Sequence, residues 1–234
     1  MKVAIMQPYF FPYIGYFQLM SAVDQFVVYD NIQFTKKGWI NRNRILVNDA
    51  DSYITLPLKN DSDFLDIRER QLADSWIKER KKTLNKIFES YRKSPNFKIV
   101  SDVVEKCILF EDNNLFNFIL NSLNIVKEYL EIKTPLIISS TIQMDHSLKG
   151  QRKVIEIMKN RKAGNYINSI GGIELYSKEE FKNEGINLSF LRSNNFTYKQ
   201  YENTFVPWLS IIDVMMFNSK EEIKKYLESY YTIL

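Results

Sequence analysis

Two side chains that can move a proton follow predicted strands of this sequence. His146 is the only histidine and comes after the apolar run PLIISS, and Asp30 ends the run FVVYD. Histidine is the residue type that titrates near neutral pH, and a carboxylate can orient an imidazole or act as a base itself. We interpret His146 and Asp30 as candidate catalytic residues that deprotonate an attacking group. The alternative is that a lone histidine in a loop has no chemical role.

The segment QPYFFPYIGYF, residues 7–17, is a candidate binding loop. It follows the apolar run VAIM, and the loop after the first strand of an open α/β sheet lies where ligands bind. Two prolines fix the backbone, and a glycine permits close approach of the chain. The alternative is a rigid plug of aromatic rings in the core, although such a plug does not need a glutamine. The predicted substrate contacts in this segment are Gln7, Tyr9, Pro12, Gly15 and Tyr16.

The segment NIQFTKKGWINRNRI, residues 31–45, combines cations with amides and one tryptophan. Guanidinium groups bind phosphate, an indole face stacks on a base or sugar, and amides bind hydroxyl groups. A sugar nucleotide is bound by these residue types, and so is a single strand of nucleic acid. The alternative is a solvated basic loop anchored by its tryptophan. The predicted substrate contacts are Gln33, Lys37, Trp39, Asn41, Arg42 and Asn43, and Arg44 joins Arg42 and Lys37 as a phosphate ligand.

Two further segments hold candidate binding residues. In NYINSIGGIELY, Gly171 and Gly172 form the only Gly-Gly pair, which either cradles an oxygen with backbone N–H groups or simply forms a turn. Tyr166 in the same segment either lines a pocket or packs. Asp213 lies inside the apolar run LSIIDVMMF, where a carboxylate needs a partner. It is either part of a structural ion pair or a site residue that binds substrate.

The spacing of apolar residues predicts an α/β fold. Residues 3–30 are typical of a strand, a loop, a helix and a second strand, and this βαβ opening favours a parallel sheet. Further strands are predicted near 52–59, 135–140 and 187–192, and helices near 75–92, 98–110, 112–130, 147–160, 208–218 and 219–234. We expect one Rossmann-like domain, residues 1–234, with a mostly parallel sheet, a helical insertion at about 75–130 and a helical C-terminus.

Composition limits the class of protein. With 45% apolar and 14% aromatic residues, the 234-residue chain can bury a continuous core, and a net charge of +4 falls short of a typical nucleic-acid binder. Cys107 is the only cysteine, which predicts a small buried hydrophobe and no disulfide or zinc site. The sequence has no apolar run long enough to span a membrane and no signal peptide. These features predict a cytoplasmic protein without a metal or a nucleic-acid partner.

Four segments together resemble the WbqC-like protein family. They are QPYFFPYIGYFQLM, VDQFVVYDNIQFTKKGWINRNRI, YINSIGGIELYSKEEF and LSIIDVMMFN, in this order along nearly the whole chain. The resemblance implies bacterial cytoplasm and amino-sugar or lipopolysaccharide metabolism, including O-antigen. Asn168-Ser169 stands where the family often has Ser-Gly, and no histidine lies near Trp76, where many members carry one. The motif residues carry over as Gln7, Pro8, Pro12, Gly15, Tyr16, Asp24, Asp30, Gln33, Lys37, Trp39, Arg42, Asn43, Tyr166, Gly171, Gly172 and Asp213.

The residue types and the resemblance favour an N-acyl- or aminoacyltransferase. Its expected acceptor is a nucleotide-linked amino sugar, and its expected donor is a thioester on coenzyme A or on an acyl carrier protein, with no tightly bound cofactor. His146 or Asp30 would deprotonate the amine, and Gln7 or backbone N–H groups near Gly171 would stabilise the oxyanion. Two alternatives remain: a nucleotide-dependent ligase or nucleotidyltransferase, and a non-catalytic protein of polysaccharide assembly.

Overall fold

Strands and helices alternate along most of the chain, as in other α/β proteins. The computed structural model describes residues 1–201 and 204–234. The strands are β1 (Lys2–Met6), β2 (Gln25–Val28), β3 (Arg42–Val47), β4 (Ala50–Thr55), β5 (Leu136–Ile138), β6 (Asn165–Ser169), β7 (Asn187–Ser193) and β8 (Tyr231–Ile233). The helices are α1 (Ile14–Ser21), α2 (Trp76–Tyr91), α3 (Phe97–Ile108), α4 (Leu115–Tyr129), α5 (Gly150–Asn160), α6 (Lys178–Asn183), α7 (Ile211–Phe217) and α8 (Lys220–Ser229).

A mostly parallel sheet of six strands forms the centre of the fold. Its order is β5-β2-β1-β6-β7-β8. The first five strands of this order run parallel, and β8 is antiparallel to β7. Numbered within the sheet, the order is 3-2-1-4-5-6, that of Rossmann-like doubly wound folds. The predicted fold class is confirmed.

Side chains of β1 alternate between two apolar clusters, one on each face of the sheet. Ala4 packs in a cluster with residues of α1, α4, α7 and α8. Val3 and Ile5 pack in a second cluster with residues of α5 and α6. A parallel sheet covered by helices on both faces needs continuously apolar strands, which explains the run VAIM.

The segment between β4 and β5 folds into α2, α3 and α4. Leu84, Ile87 and Tyr91 form the buried side of α2. Cys107 on α3 is fully buried, and burial raises the pKa of its thiol. The interpretation of this cysteine as a small buried hydrophobe is confirmed. None of the helices in the described part of the chain combines the length and the apolar composition that crossing a membrane requires.

Three strands, β3, β6 and β8, are absent from the strands that the sequence predicts, and β6 lies shortly before the Gly-Gly pair. Residues 42–47 form β3, which pairs antiparallel with β4. Its buried residues Asn43 and Ile45 alternate with arginines, and because Asn43 is polar the sequence does not show the usual alternation of apolar and polar residues. Residues 231–233 form β8 and not the end of the last helix, because α8 ends at Ser229 and β7 offers a free edge for pairing. Tertiary pairing overrides the helical pattern there.

The loop after β1, residues 7–13, is held by side chains from two distant segments. Asn43 Nδ2 donates to the carbonyl of Phe10 at 3.2 Å and to that of Phe11 at 2.8 Å. Ser210 Oγ donates to the same Phe11 carbonyl at 2.8 Å. Phe11 has a φ of 42°, a left-handed conformation that is strained for a phenylalanine. These hydrogen bonds therefore stabilise a backbone shape that the loop would not keep by itself.

We expect Asn43→Ala to lower the free energy of unfolding by about 3 kcal/mol, because it removes buried hydrogen bonds to Phe10 and Phe11. Asn41→Ala is the matched control, since Asn41 is half-buried and donates to one carbonyl, that of Leu56. Its expected loss is about 1 kcal/mol. Urea denaturation of both variants measures the difference, and equal losses would contradict a special role for Asn43.

Candidate functional site

The order of the strands creates a crevice above β1. This strand pairs with β2 on one side and with β6 on the other. The strands that follow β1 are first added on one side of it and later on the other side, so β1 lies at the point where the strand order reverses. Doubly wound folds bind ligands in the crevice outside the carboxyl ends of the strands at such a point. The crevice is bordered here by residues 7–13 after β1 and by residues 170–172 after β6.

The loop after β1 is partly core and partly cleft. Phe10 and Phe11 are at most 1% exposed, so the aromatic plug that the sequence offers as an alternative describes these two residues. Gln7, Tyr9 and Tyr13 are half-buried, and the two tyrosines line a cavity. The same loop therefore anchors itself in the core and presents polar side chains to a ligand.

Tyrosine hydroxyls fix Gln7 at the end of β1. Tyr16 OH donates to the Gln7 carbonyl at 3.1 Å, and Tyr9 OH donates to Gln7 Oε1 at 3.3 Å. Tyr16 is nearly fully buried, and burial raises its pKa well above 10.0. Tyr16 thus positions Gln7 from inside the protein, and the substrate contact predicted for Tyr16 stays a prediction.

Gly15 lets an aromatic ring lie across the start of α1. A Cβ atom at this position would lie 2.4 Å from three atoms of the Tyr13 side chain. Since that distance is far inside van der Waals contact, any larger residue would displace the Tyr13 ring. Gly15 therefore shapes the cleft through Tyr13, a residue that the sequence does not single out.

One cavity lies between the loop after β1 and residues 31–45, which we call the basic tract. We name it the cationic cavity; its volume is about 200 Å³. It is lined by Tyr9, Pro12, Tyr13, Trp39, Asn43, Arg44 and Trp208. Arg44 supplies the positive charge of this lining, and aromatic rings supply most of its surface.

Arg44 is the cation best placed for an anionic ligand. Its guanidinium lies 5.5 Å from the centroid of the Trp39 ring and 3.2 Å from a carboxylate oxygen of Asp51. Arg44 Nη2 donates to the Trp208 carbonyl at 3.4 Å. Arg44 Nε is buried without a hydrogen-bond partner. A guanidinium N–H that is buried in a cavity wall without an acceptor favours the binding of an anion at that wall.

Arg42 and Lys37 have a different role in the structure. Arg42 donates from Nε to the Gly38 carbonyl at 3.1 Å and from Nη2 to the Lys37 carbonyl at 2.9 Å. Its guanidinium also lies 5.3 Å from the centroid of the Tyr53 ring. These contacts hold the turn before β3, and Lys37 is exposed at the tip of that turn. Their predicted phosphate contacts stay predictions.

The amides of the basic tract mainly bind backbone. Asn41 donates to the Leu56 carbonyl at 2.9 Å, and Gln33 donates to the Asp63 carbonyl at 2.8 Å. Asn43 clamps the loop after β1 while it also lines the cationic cavity. Of the three, Asn43 is the amide that the structure brings to this cavity.

A chain of hydrogen-bonding side chains connects Asp30 to His146. Ser139 Oγ lies 2.8 Å from Asp30 Oδ1 and 2.6 Å from Asn31 Oδ1. Asn31 Nδ2 lies 2.9 Å from His146 Nδ1. Asp30 is buried, whereas His146 is exposed. The two predicted catalytic residues are thus connected, and the imidazole is the one that can meet a substrate.

The number of available protons favours one direction for these hydrogen bonds. Ser139 has one hydroxyl proton, but two acceptor oxygens face it when Asn31 Oδ1 points at Ser139. Turning the amide by half a turn exchanges its O and N atoms, which occupy nearly the same positions. Asn31 then donates to Ser139, Ser139 donates to Asp30, and His146 Nδ1–H donates to Asn31. This arrangement leaves His146 Nε2 as a free acceptor toward solvent.

A buried lysine supports the same network. Lys153 Nζ donates to the Asn31 carbonyl at 2.8 Å and lies 5.2 Å from the centroid of the Tyr29 ring. Burial lowers the pKa of Lys153, and the nearby carboxylates of Asp66 and Asp30 partly oppose this change. The lysine thereby fixes the backbone that carries Asn31.

The third predicted segment lies beside the crevice. Gly171 and Gly172 form a short 3₁₀ turn directly after β6, and a Cβ atom on Gly172 would lie 2.3 Å from the amide nitrogen of Asn168. The turn that the sequence offers as an alternative is therefore present. Tyr166 is fully buried between Tyr176 and another ring of the second apolar cluster, at 5.8 Å from Tyr176.

Asp213 is a fully buried carboxylate held by neutral donors. Its oxygens accept hydrogen bonds from Tyr91 at 2.9 Å, from Tyr198 at 2.5 Å and from Gln200 at 2.6 Å. Burial raises its pKa to about 6, although these three donors act in the opposite direction. Asp213 joins α7 to the end of α2, so its role is in the packing of the fold, and a direct contact with substrate stays a prediction.

Several residues of the site escape the sequence prediction. Ser139, Asn31 and Lys153 build the network around Asp30, and Tyr13 and Trp208 line the cationic cavity. A signal existed for Ser139 and Asn31, because Ser139 lies near the end of a predicted strand and Asn31 directly follows one. No pattern announces Trp208, whose contact with Tyr13 arises only in the folded chain. Within the described ranges, no group of three or more His, Cys, Asp or Glu side chains is placed to hold a metal ion.

Sheet order, cleft and polar network together describe a doubly wound α/β protein with a ligand cleft at the carboxyl edge of its sheet. The chain belongs to the WbqC-like protein family, whose family model matches residues 7–225. It is similar to an uncharacterized protein of Mycobacterium tuberculosis, Rv1507c. The two are 29% identical over 232 residues, which cover 97% of each chain. No solved structure matches this chain.

The burial of Asp213 predicts a loss of stability as the pH rises. Because its pKa increases from 3.8 unfolded to about 6 folded, the folded state binds this proton more tightly. The resulting stability is present below about pH 4 and is lost as the pH rises through 6, a change of about 3 kcal/mol. The Asp213→Asn variant does not titrate at this position. The difference in free energy of unfolding between the variant and the natural protein should therefore change by about this amount, in favour of the variant, from pH 4 to pH 7.

Urea denaturation at both pH values tests this prediction. Three tyrosines lie near Asp213: Tyr91, Tyr198 and Tyr201. Their pKa values are raised above the usual value for tyrosine, so they remain protonated over this range. Asp102→Asn, at an exposed position, is the matched control and should show no such gain. A constant difference between the natural protein and Asp213→Asn at both pH values would show that the carboxylate is not buried in this way.

Proposed function

We propose that this protein transfers an acyl or aminoacyl group from a thioester to the amino group of a nucleotide-linked amino sugar in bacterial surface-polysaccharide biosynthesis. The observation that carries the proposal is the network from buried Asp30 to exposed His146, on the sheet edge that also bears the cationic cavity. Membership in the WbqC-like family supports the biological context.

The cationic cavity suits the pyrophosphate of the acceptor. Arg44 offers a guanidinium with a buried unpaired donor, and Trp39 and Tyr9 offer ring surfaces beside it. Charge-assisted hydrogen bonds from arginine to phosphate are among the strongest in proteins. The half-buried Gln7 accepts a hydrogen bond from Tyr9, one of the residues that line this cavity.

The spacing of the strands relates the cavity to the candidate base. The cavity is built on the loop after β1, and His146 lies on the loop after β5, two strands away in the sheet. Neighbouring strands are about 4.8 Å apart, so the ends of β1 and β5 are separated by about 10 Å. An amino sugar attached to a pyrophosphate at Arg44 can extend over such a distance.

The proposed reaction needs one base. The ammonium group of the sugar loses a proton to His146 Nε2, and the free amine nitrogen attacks the thioester carbonyl carbon. The attacking nitrogen of the tetrahedral intermediate loses its second proton to solvent, and the intermediate collapses as the C–S bond breaks. The amide forms, and the imidazolium protonates the departing thiolate, which is released as a thiol. Asp30, Ser139 and Asn31 hold the imidazole with Nδ1–H pointing inward, so that Nε2 faces the substrate.

A carrier protein is one of two donors compatible with the surface. The solvent side of α2 carries the exposed lysines Lys78, Lys81 and Lys82. An acidic acyl carrier protein would be attracted to this side. Coenzyme A is the other thioester donor, and a direct assay with each one separates them.

A nucleotide-dependent ligase or nucleotidyltransferase is the second candidate. The observation that favours it is the doubly wound sheet with a rigid loop and α1 directly at the switch point, where such folds bind nucleotide phosphates. Mass spectrometry of an amino-sugar nucleotide incubated with acyl-coenzyme A, with acyl carrier protein or with ATP decides between them. A mass gain of one acyl group without ATP is expected; a gain that depends on ATP would support the second candidate, and ligand binding without turnover a non-catalytic protein.

We expect His146→Ala to lower the rate of acyl transfer by about 100- to 10,000-fold, because the amine then lacks its base. Gln143→Ala, an exposed position on the same loop, is the matched control and should retain full activity. Rates come from product formation under saturating substrates. A rate for His146→Ala equal to that of the control would remove His146 from the mechanism.

Arg44→Gln is expected to weaken the binding of a nucleoside diphosphate about tenfold or more, since it removes a charged phosphate ligand. The control is Arg92→Gln, at an exposed arginine of the α2 C-terminus that pairs with Glu89. Isothermal titration calorimetry with UDP and dTDP measures both affinities. Unchanged affinity in Arg44→Gln would place the phosphate site elsewhere.

A further inference from the structure

A second cavity lies directly behind the cationic cavity. We name it the aromatic cavity; it has a volume of about 340 Å³. Tyr13 and Trp208 line both cavities, with their ring centroids 6.0 Å apart in an edge-on arrangement. The two cavities therefore share a wall and form neighbouring lobes of one cleft.

The lining of the aromatic cavity suits a flat, uncharged group. Phe196, Tyr198 and Phe205 add three further rings to those of Tyr13 and Trp208. None of the described residues that line this cavity carries a charge. Rings on several sides favour a ligand with a π-face, since aromatic side chains stack on nucleobases with little regard to their sequence.

Polar side chains line one side of the same cavity. Ser193 ends β7, and Asn195 and Thr197 follow it at alternate positions, with the latter two exposed at the rim. An amide offers one donor and one acceptor side by side, which matches the polar edge of a base. Ser193 itself donates to Gln18 Oε1 and so belongs to the wall.

Trp208 occupies the shared wall in a strained conformation. Its φ is 60°, and its side chain is 52% exposed, which is unusual for the largest apolar residue type. The adjacent backbone is fixed to β3, because Ser210 N donates to the Arg44 carbonyl at 2.8 Å and Arg44 donates to the Trp208 carbonyl. Strain maintained by surrounding bonds is typical of ligand clamps.

We propose that the aromatic cavity binds the base of a nucleoside diphosphate whose phosphates lie at Arg44. The inference rests on the proposed function and adds the position of the base, against the rings of Tyr13 and Trp208 on the side of the aromatic cavity and away from Trp39. Along the sheet edge, the base then lies near the end of β7, the pyrophosphate near β1, and the sugar points toward β2 and β5. This order leaves the amine on the side of His146.

The first test blocks the aromatic cavity at its rim. Thr197→Trp should reduce the affinity for dTDP and for free thymidine at least about tenfold, while inorganic pyrophosphate binds as in the natural protein. Thr204→Trp, an exposed threonine outside the lining, is the matched control and should bind all three normally. UDP, ADP and uridine, titrated in the same way, identify the preferred base.

The second test removes the Trp208 ring by a substitution that can keep the same backbone conformation. Trp208→Gly accommodates the positive φ, and Lys162→Gly does so at an exposed residue with a φ of 52° away from the cleft. We expect Trp208→Gly to weaken thymidine binding and Lys162→Gly to leave it unchanged. Thermal melts of all variants confirm that each one folds. Weaker binding in Thr197→Trp or in Trp208→Gly, each relative to its control, is sufficient to support the base site.

The outcomes separate this inference from the proposed function. If dTDP binds the natural protein and neither Thr197→Trp nor Trp208→Gly weakens it, the base lies elsewhere and acyl transfer still stands. If either variant weakens binding relative to its control but no acyl group is transferred, the base site stands and the proposed function fails. If the natural protein binds no nucleoside and no nucleotide, both are overturned.

Discussion

The clamp on the backbone carbonyls of Phe10 and Phe11 is the constraint on which the cleft depends. Asn43 from β3 and Ser210 before α7 donate to these carbonyls and join three distant segments of the chain. Because the clamp fixes a loop with a left-handed Phe11, the side chains before and after it have defined directions. Tyr9 and Tyr13 face the cleft for this reason.

Burial of polar groups at strand ends is the second organising effect. Asp30 is buried at the end of β2, where it accepts hydrogen bonds from the Ser139 hydroxyl and from the Ser140 N–H at 2.9 Å. A buried carboxylate needs such partners, and their geometry in turn fixes Asn31 and His146. The same hydrogen bonds therefore satisfy the fold and orient the one imidazole of the chain.

The two lobes of the cleft and the polar network lie along one edge of the sheet, each on a different loop. Doubly wound folds allow this because every parallel strand ends at the same edge. A long, segmented ligand such as a nucleotide sugar contacts several strand ends at once, whereas a compact ligand would need only one. The distribution of Trp208, Arg44 and His146 along the edge thus favours a ligand with chemically distinct parts.

The sequence by itself determined the fold class and the βαβ opening, because apolar periodicity is a local property. It marked the loop after β1 and the basic tract as separate candidate binding segments. It also marked Asp30 and His146, since Asp30 ends one predicted strand and His146 lies in the loop after another. Only the tertiary structure decided that Arg44 lines the cavity while Arg42 holds a turn, and that Trp208 meets Tyr13 across nearly two hundred residues. Such contacts depend on how distant segments pack against one another, and no local pattern of residues records them.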